Sequence, residues 1–244
     1  MLHGPLRRCG YDWWWHSFTA QDAVTGKDKP FFIEFFLCNP ALAEDKPVFG
    51  QLPANQAAGK RPSYLMVKAG TWGEDACQLH RFFAWKDVSL HGDAPYQVTA
   101  EDCFASETAL RGSILITPEE SAAHPEWMCN SGSMTWDLRI DKQIAFNDGY
   151  GASKPLRDAE AFAMYWHAEG MKSAYSGSIT FNGRQYLVTP KTAMDMQIKT
   201  GDGISQVRGS GFPPIACTVR KPESKCITVY LISAAADRRS TLFH

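Results

Sequence analysis

The sequence has no CxxC pair, no Lys/Arg cluster interleaved with aromatics and no apolar run near membrane-helix length. Each absence closes a class of function. The seven cysteines, Cys9, Cys38, Cys77, Cys103, Cys129, Cys217 and Cys226, are odd in number and irregularly spaced. They read as reduced thiols buried as small hydrophobes, so neither a disulfide framework nor a zinc site is expected. With 25 Lys+Arg against 26 Asp+Glu, the formal net charge is −1. That balance gives no footprint for nucleic acid and suits a neutral small molecule better than a polyanion. The longest apolar stretch, Phe31 to Cys38, contains Glu34 and has the length of a strand, far short of the roughly 18 residues of a membrane helix. The leading residues MLHGPLRRCGYDWWWHSF lack an apolar core before a small-residue cleavage site. A cytoplasmic location is therefore the expectation. No P-loop, H-E-x-x-H or G-x-S-x-G motif occurs, and the Gly-rich TGDGISQVRGSG lacks the flanking strand and helix of a phosphate cradle. No cofactor and no metal is implied.

What is present is aromatic and strand-like. The chain is 44% hydrophobic and 12% aromatic, which is enough to bury a large β core. Tyr11 to Thr19 reads as a strand, a polar loop AQDAVTGKDK follows, and Pro30 opens a second strand through Cys38. Asn39 to Pro62 carries four prolines and reads as loop. Ser63–Trp72 and Ala76–Trp85 form the next pair, followed by short strands at Tyr96–Thr99, Cys103–Thr108 and Gly112–Thr117. Thr117-Pro118-Glu119-Glu120 is a helix start, with Thr as N-cap, Pro at N1 and Glu at N3, cut short by Pro125. Ser133 to Ile140 alternates, with Met134, Trp136, Leu138 and Ile140 on one face. Pro155 to Trp166 is expected to hold one or two helical turns. SGSITFNGRQYLV is a hairpin signature, with Asn182-Gly183 at a type I′ turn. With no βαβ alternation, the expected fold is all-β: an antiparallel lipocalin-like barrel or sandwich with short helical turns.

Three constellations could carry chemistry. In Trp13-Trp14-Trp15-His16 both strand faces are aromatic, so both are expected to be covered. One face could line an apolar cavity with His16 as polar anchor. Glu34 shares a strand face with Phe32 and Phe36. A carboxylate there is expensive unless paired or protonated, and burial would raise its pKa toward that of a general acid. A structural carboxylate, bonded to His16 or to a Trp N–H on the neighbouring strand, is the plainer alternative. In Trp166-His167-Ala168-Glu169, an extended chain puts His167 and Glu169 on one face. This H-x-E lacks the P-C-x-x-C of zinc deaminases, leaving an acid–base pair or a half-buried edge strand.

The strings GYDWWWHSFTA, PFFIEFFLCNPAL, PVFGQLP, PSYLMVKAGTWGED, GSMTWDL and YWHAEGMKSAYSGSITFNGRQY resemble the tocopherol cyclase-like family of two-barrel, lipocalin-like proteins. The relatives of that family include hydroxyneurosporene synthase-type and Diels–Alderase-type enzymes. The resemblance covers roughly residues 9 to 192 and implies acid-initiated cyclisation of a prenylated, lipophilic substrate. In that reading Glu34 is the acid, His16 its partner, and Trp14 and Trp166 face the cation. His167 and Glu169 form a second polar cluster, and Phe32, Phe36 and Trp136 line the ligand. The other reading is a binder of apolar molecules without turnover.

After Thr192 the patterning stops. No tryptophan follows Trp166, and the tail keeps no period of 2 or 3.6. The family carries a motif like CYGYADKNWG at this point. Met194-Asp195-Met196 must be encoded ATG-GAY-ATG, and reading one base earlier forces Gly, then Tyr or His, then Ala. The following junctions permit Asp, Lys, Asn, Trp and Gly. Residues 1–192 are thus expected to hold a first barrel and the start of a second, and 193–244 to be an out-of-frame tail.

Overall fold

A strand whose side chains are apolar on both faces needs partners on both, and Tyr11–Asp22 (β1) is such a strand. It pairs along its whole length with Asp28–Cys38 (β2). The computed structural model describes residues 10–40, 45–73, 75–91, 95–146, 164–190 and 206–211; of these, 144–146, 164–171 and 206–211 are described for their backbone alone. The β1–β2 connection is tighter than the ten polar residues suggest. The Asp22 carboxylate accepts from the N–H groups of Val24 (2.9 Å) and Thr25 (2.8 Å), and Gly26 takes a φ of +68°. This side-chain turn lets both strands extend into the polar stretch.

The chain continues through a short helix Pro53–Ala57 (α1) to Tyr64–Thr71 (β3) and Cys77–Phe83 (β4). Val88–His91 (β5), a strand the sequence pattern did not suggest, precedes Gln97–Ala100 (β6), Cys103–Ser106 (β7) and Ala109–Ile116 (β8). Helix Pro118–Ala123 (α2) starts at Thr117 with the full reciprocal capping box to Glu120, and Pro125 opens a separate 3-10 turn, Pro125–Trp127. Gly132–Phe146 (β9), Met164–Phe181 (β10), Arg184–Val188 (β11) and Gln206–Gly211 (β12) complete the described chain. Met134, Trp136, Leu138 and Ile140 are buried, as their alternation requires. Asn182 and Gly183 take positive φ at the β10–β11 turn. Met164 to Trp166 belong to β10, so the helical turns expected to reach Trp166 do not. Pairing with β12 holds this stretch extended. Residues 155–163 lie outside the described residues.

Every strand pairing is antiparallel, in the order β4, β3, β2, β1, β11, β10, β9, β8, β7, β6, β5. These strands form a nearly closed, lipocalin-like barrel. β11 and β12 sit end to end in one slot: β1 meets β11 at Gln21 and Asp22 and β12 at Tyr11 to His16, while β10 pairs with both. Of the tail after Thr192, only this short strand lies within the described residues. No helix among the described residues is long and apolar enough to cross a membrane.

The interior is filled by the inward rows of β1 (Trp14, Phe18, Ala20), β2 (Phe31, Ile33, Phe35, Leu37) and β3 (Leu65, Val67, Ala69), together with Tyr96, Trp136 and Tyr175. Across the open seam, Arg81 on β4 acts as a latch. Its Nη1 donates to Asp102 Oδ1 (2.6 Å) and to the Ser113 carbonyl (2.9 Å), and it also pairs with Glu101. Ser113 Oγ donates to Asp102 Oδ2 (2.6 Å). Burial alone would raise the Asp102 carboxyl, but the hydrogen bonds from Ser113 and Arg81 outweigh it and hold the group below its usual range.

Arg81→Ala is expected to destabilise the fold by roughly 1–2 kcal/mol at pH 7, a figure discounted for the half-exposed partners. The unfolded Asp102 takes up its proton first, at about pH 4, so its contribution is complete above that pH and fades as pH falls through the depressed folded value. The gap between the urea midpoints of the two proteins should therefore narrow as pH falls below about 4.

Candidate functional site

The register of β1 against β2 separates the residues that the sequence placed together. Trp15 lies opposite Glu34 and His16 opposite Ile33. Trp14 and His16 therefore face the interior, and Glu34 stands on the outer face with Phe32 and Phe36. His16 and Glu34 are not partners, because adjacent strand positions point to opposite sides of the sheet.

Inside, His16 is fully buried and spent on two tyrosines. Its Nδ1 lies 3.1 Å from the Tyr175 hydroxyl and its Nε2 3.5 Å from the Tyr96 hydroxyl. Burial, with a smaller push from Lys142, lowers its pKa to about 3. A neutral imidazole has one donor and one acceptor nitrogen, and the two hydroxyls satisfy both. Trp14 stacks on Tyr96 at 4.9 Å and 19°. Trp136 packs in the same core, its indole N–H without a partner among the described residues.

Outside, Trp15, Glu34, Lys68 and His80 form one row across β1 to β4, each directly opposite the next. Lys68 Nζ is 3.6 Å from Glu34 Oε2, and both side chains are 9% exposed. The same ammonium lies 5.7 Å from the Trp15 ring centroid and 5.8 Å from that of Phe32. Trp15 stacks flat on Phe32 (5.0 Å, 7°) and on Trp72 (6.0 Å, 12°). Burial pushes the Glu34 carboxyl above its usual range, and the Lys68 charge only partly offsets this. Phe36 joins the apolar surface through Tyr11 and Trp13. The site is thus an acid of raised pKa beside an ammonium, framed by flat aromatic faces.

Sequence reading missed Lys68 as Glu34's partner and Trp72 as a neighbour of Trp15 and Phe32. The alternation of β3 did carry a signal: Lys68 falls on the face opposite Leu65, Val67 and Ala69. Trp166, His167 and Glu169 lie on β10 beyond β12. Trp166 pairs with Gly209 and His167 with Arg208, and the register shifts between His167 and Gly170. That irregularity interrupts the plain alternation assumed for His167 and Glu169. Beyond the far end of the outer row, a cavity of about 730 Å³ opens at the seam, lined by His80, Arg81, Phe82, Phe49, Glu126 and Trp127 among others.

Compared with family models, curated proteins and solved structures, the chain matches none.

Breaking the buried pair from one side leaves a lone charge. Lys68→Met is expected to destabilise the protein by about 3 kcal/mol at pH 8. The loss should shrink as pH falls and Glu34 takes up a proton, because a carboxyl raised by folding favours the folded state at low pH. A loss that does not change between pH 8 and pH 5 would mean that Glu34 does not titrate in that range.

Proposed function

We propose that the outer face around Glu34 binds a lipophilic small molecule, and that the frame-restored form of this protein uses Glu34 as the acid of a tocopherol cyclase-like cyclisation. The observation that carries the reading is a buried, raised carboxyl beside ring faces that already hold a positive charge, the Lys68 ammonium. Acid-initiated cyclisation needs both. Glu34 gives its proton to an alkene carbon, leaving a tertiary cation over Trp15 and Phe32. A phenolic oxygen closes the ring on that cation, and its proton returns to the Glu34 carboxylate. The net change is an isomerisation, with no redox partner. In this reading Trp14, His16 and Trp136 brace the strand from inside, and His167 with Glu169 supplies a second polar cluster on β10. A cytoplasmic setting, in which Cys38, Cys77, Cys103 and Cys129 stay as free thiols, belongs to the same proposal.

A second reading has its own support. Glu34 is already paired with Lys68, and a carboxylate held in an ion pair has no proton to give. The face would then bind without turnover.

The two readings part on one substrate set. With one base restored near codon 192, the protein incubated with a prenylated hydroquinone is expected to yield a chromanol, and Glu34→Gln to lose the product while still quenching Trp fluorescence saturably. Saturable quenching without product from the restored protein would leave only the binding reading. The 244-residue chain is expected to be inactive, and measurable turnover by it would refute that. A gene sequence in which no single-base shift recovers the motif would refute the out-of-frame origin of the tail.

A further inference from the structure

Lys68 stands between two acceptors. Glu34 lies directly opposite it on β2, and His80 directly opposite it on β4. All three side chains are buried. The ammonium is 3.6 Å from Glu34 Oε2, looser than the roughly 2.8 Å of a close charge-assisted hydrogen bond. It also has three N–H groups to place, more than one carboxylate oxygen uses.

The orientation of His80 follows from its other nitrogen. Nδ1 is 2.6 Å from the Trp127 carbonyl oxygen. A carbonyl only accepts, so Nδ1 carries the hydrogen and Nε2 keeps its lone pair. Burial keeps the imidazole neutral, with its pKa lowered to about 4. β4 ends the sheet, and β3 takes one of its edges. The segment from Trp127 to Asn130 runs along the other edge, where Asn130 bonds the main-chain N–H and C=O of Gln78. The two nitrogens of an imidazole point to nearly opposite sides of the ring. With Nδ1 turned to the free edge of β4, the Nε2 lone pair points back toward β3, where Lys68 is the residue opposite. Nε2 is buried and has no partner among the described residues. The Lys68 charge is felt at this ring, where it adds to the lowering of the pKa.

The outward positions flanking this row on β1 to β4 are all uncharged. Burial pushes up the Cys38 thiol, to about 12, and the Tyr64 hydroxyl, so both stay neutral. Cys129, raised by burial too, takes a hydrogen bond from the His80 main chain. His124 and Glu126, beside Trp127, are paired with each other. We propose that His80 is a positioning residue for Glu34: when Glu34 takes up a proton, the Lys68 ammonium swings across the row and donates to His80 Nε2. No proton passes between Lys68 and His80. Without that second acceptor a buried ammonium would be stranded each time the acid is loaded, and this cost would hold Glu34 in its ionised form. The handover lets one carboxyl be paired at rest and loaded for chemistry. As a role in catalysis it rests on the cyclisation reading; as a movement of the folded protein it is measurable without substrate.

NMR of the 244-residue chain, with nitrogen-labelled His and carbon-labelled Glu, reads both ends of the handover. As pH falls through the Glu34 titration, the His80 Nε2 signal should move upfield while Nδ1 stays that of an N–H. Glu34→Gln, which removes the charge, should show the moved signal already at pH 8. His80→Phe should lower the Glu34 midpoint by about one pH unit, a tenfold change in its ionisation constant, because the loaded state loses its second acceptor. His80→Gln keeps an acceptor and should leave the midpoint close to that of the unaltered protein. A purely structural His80 predicts the opposite for Phe, since a drier site raises a carboxyl. A fixed Nε2 signal in the unaltered protein or in Glu34→Gln, or an unmoved or raised midpoint in His80→Phe, overturns the proposal. Handover in a frame-restored protein that forms no chromanol would sink the cyclisation alone, and chromanol without handover would sink this proposal alone.

Discussion

A β-strand that is apolar on both faces forces everything around it. β1 presents Trp14 and Phe18 to one side and Trp13 and Trp15 to the other, and burial of such rings is among the largest single contributions a β protein can gather. The inward row nucleates an ordinary barrel core. The outward row cannot be left in water, so the wall of the barrel becomes a second apolar layer. Glu34 and Lys68 are consequences of that layer. Each is a charge placed where the surroundings are already dry, and each is tolerable because the other stands opposite it on the next strand.

The two layers divide polar chemistry in different ways. The interior satisfies its one histidine completely, with a tyrosine on each nitrogen. That histidine has nothing left to offer a substrate. The outer row is unfinished: burial raises the Glu34 carboxyl, and His80 Nε2 has no donor among the described residues. Function is to be sought where satisfaction is incomplete. The position of His80 also matters, because the seam beside it is closed by a side-chain latch rather than by a continuous ladder of main-chain hydrogen bonds.

Much of the fold is written in local pattern. The Asn182-Gly183 turn, the Thr117 capping box and the alternation of Ser133 to Ile140 are short-range signals, and each gives the expected element. The face shared by Glu34, Phe32 and Phe36 follows from period two alone. What local pattern could not supply is register. Whether Glu34 meets His16 or Trp15 turns on a shift of one residue, and that shift is set by a turn whose tightness depends on the Asp22 side chain. The cross-strand row from Trp15 to His80 is invisible for the same reason, since its members lie far apart in sequence. β5 was missed because four residues of alternating half-burial give too short a signal.

The slot between β1 and β10 is occupied by two short strands in tandem, and this has a consequence for how the wall tolerates change. Main-chain N–H and C=O groups pair without regard to side-chain identity, so the upper half of that slot sets terms of length and extension rather than of composition. Gln206–Gly211, with two glycines among six residues, brings little side-chain bulk to the position. The barrel thus has one replaceable stave. Any extended chain of similar length that reaches the gap could stand in it.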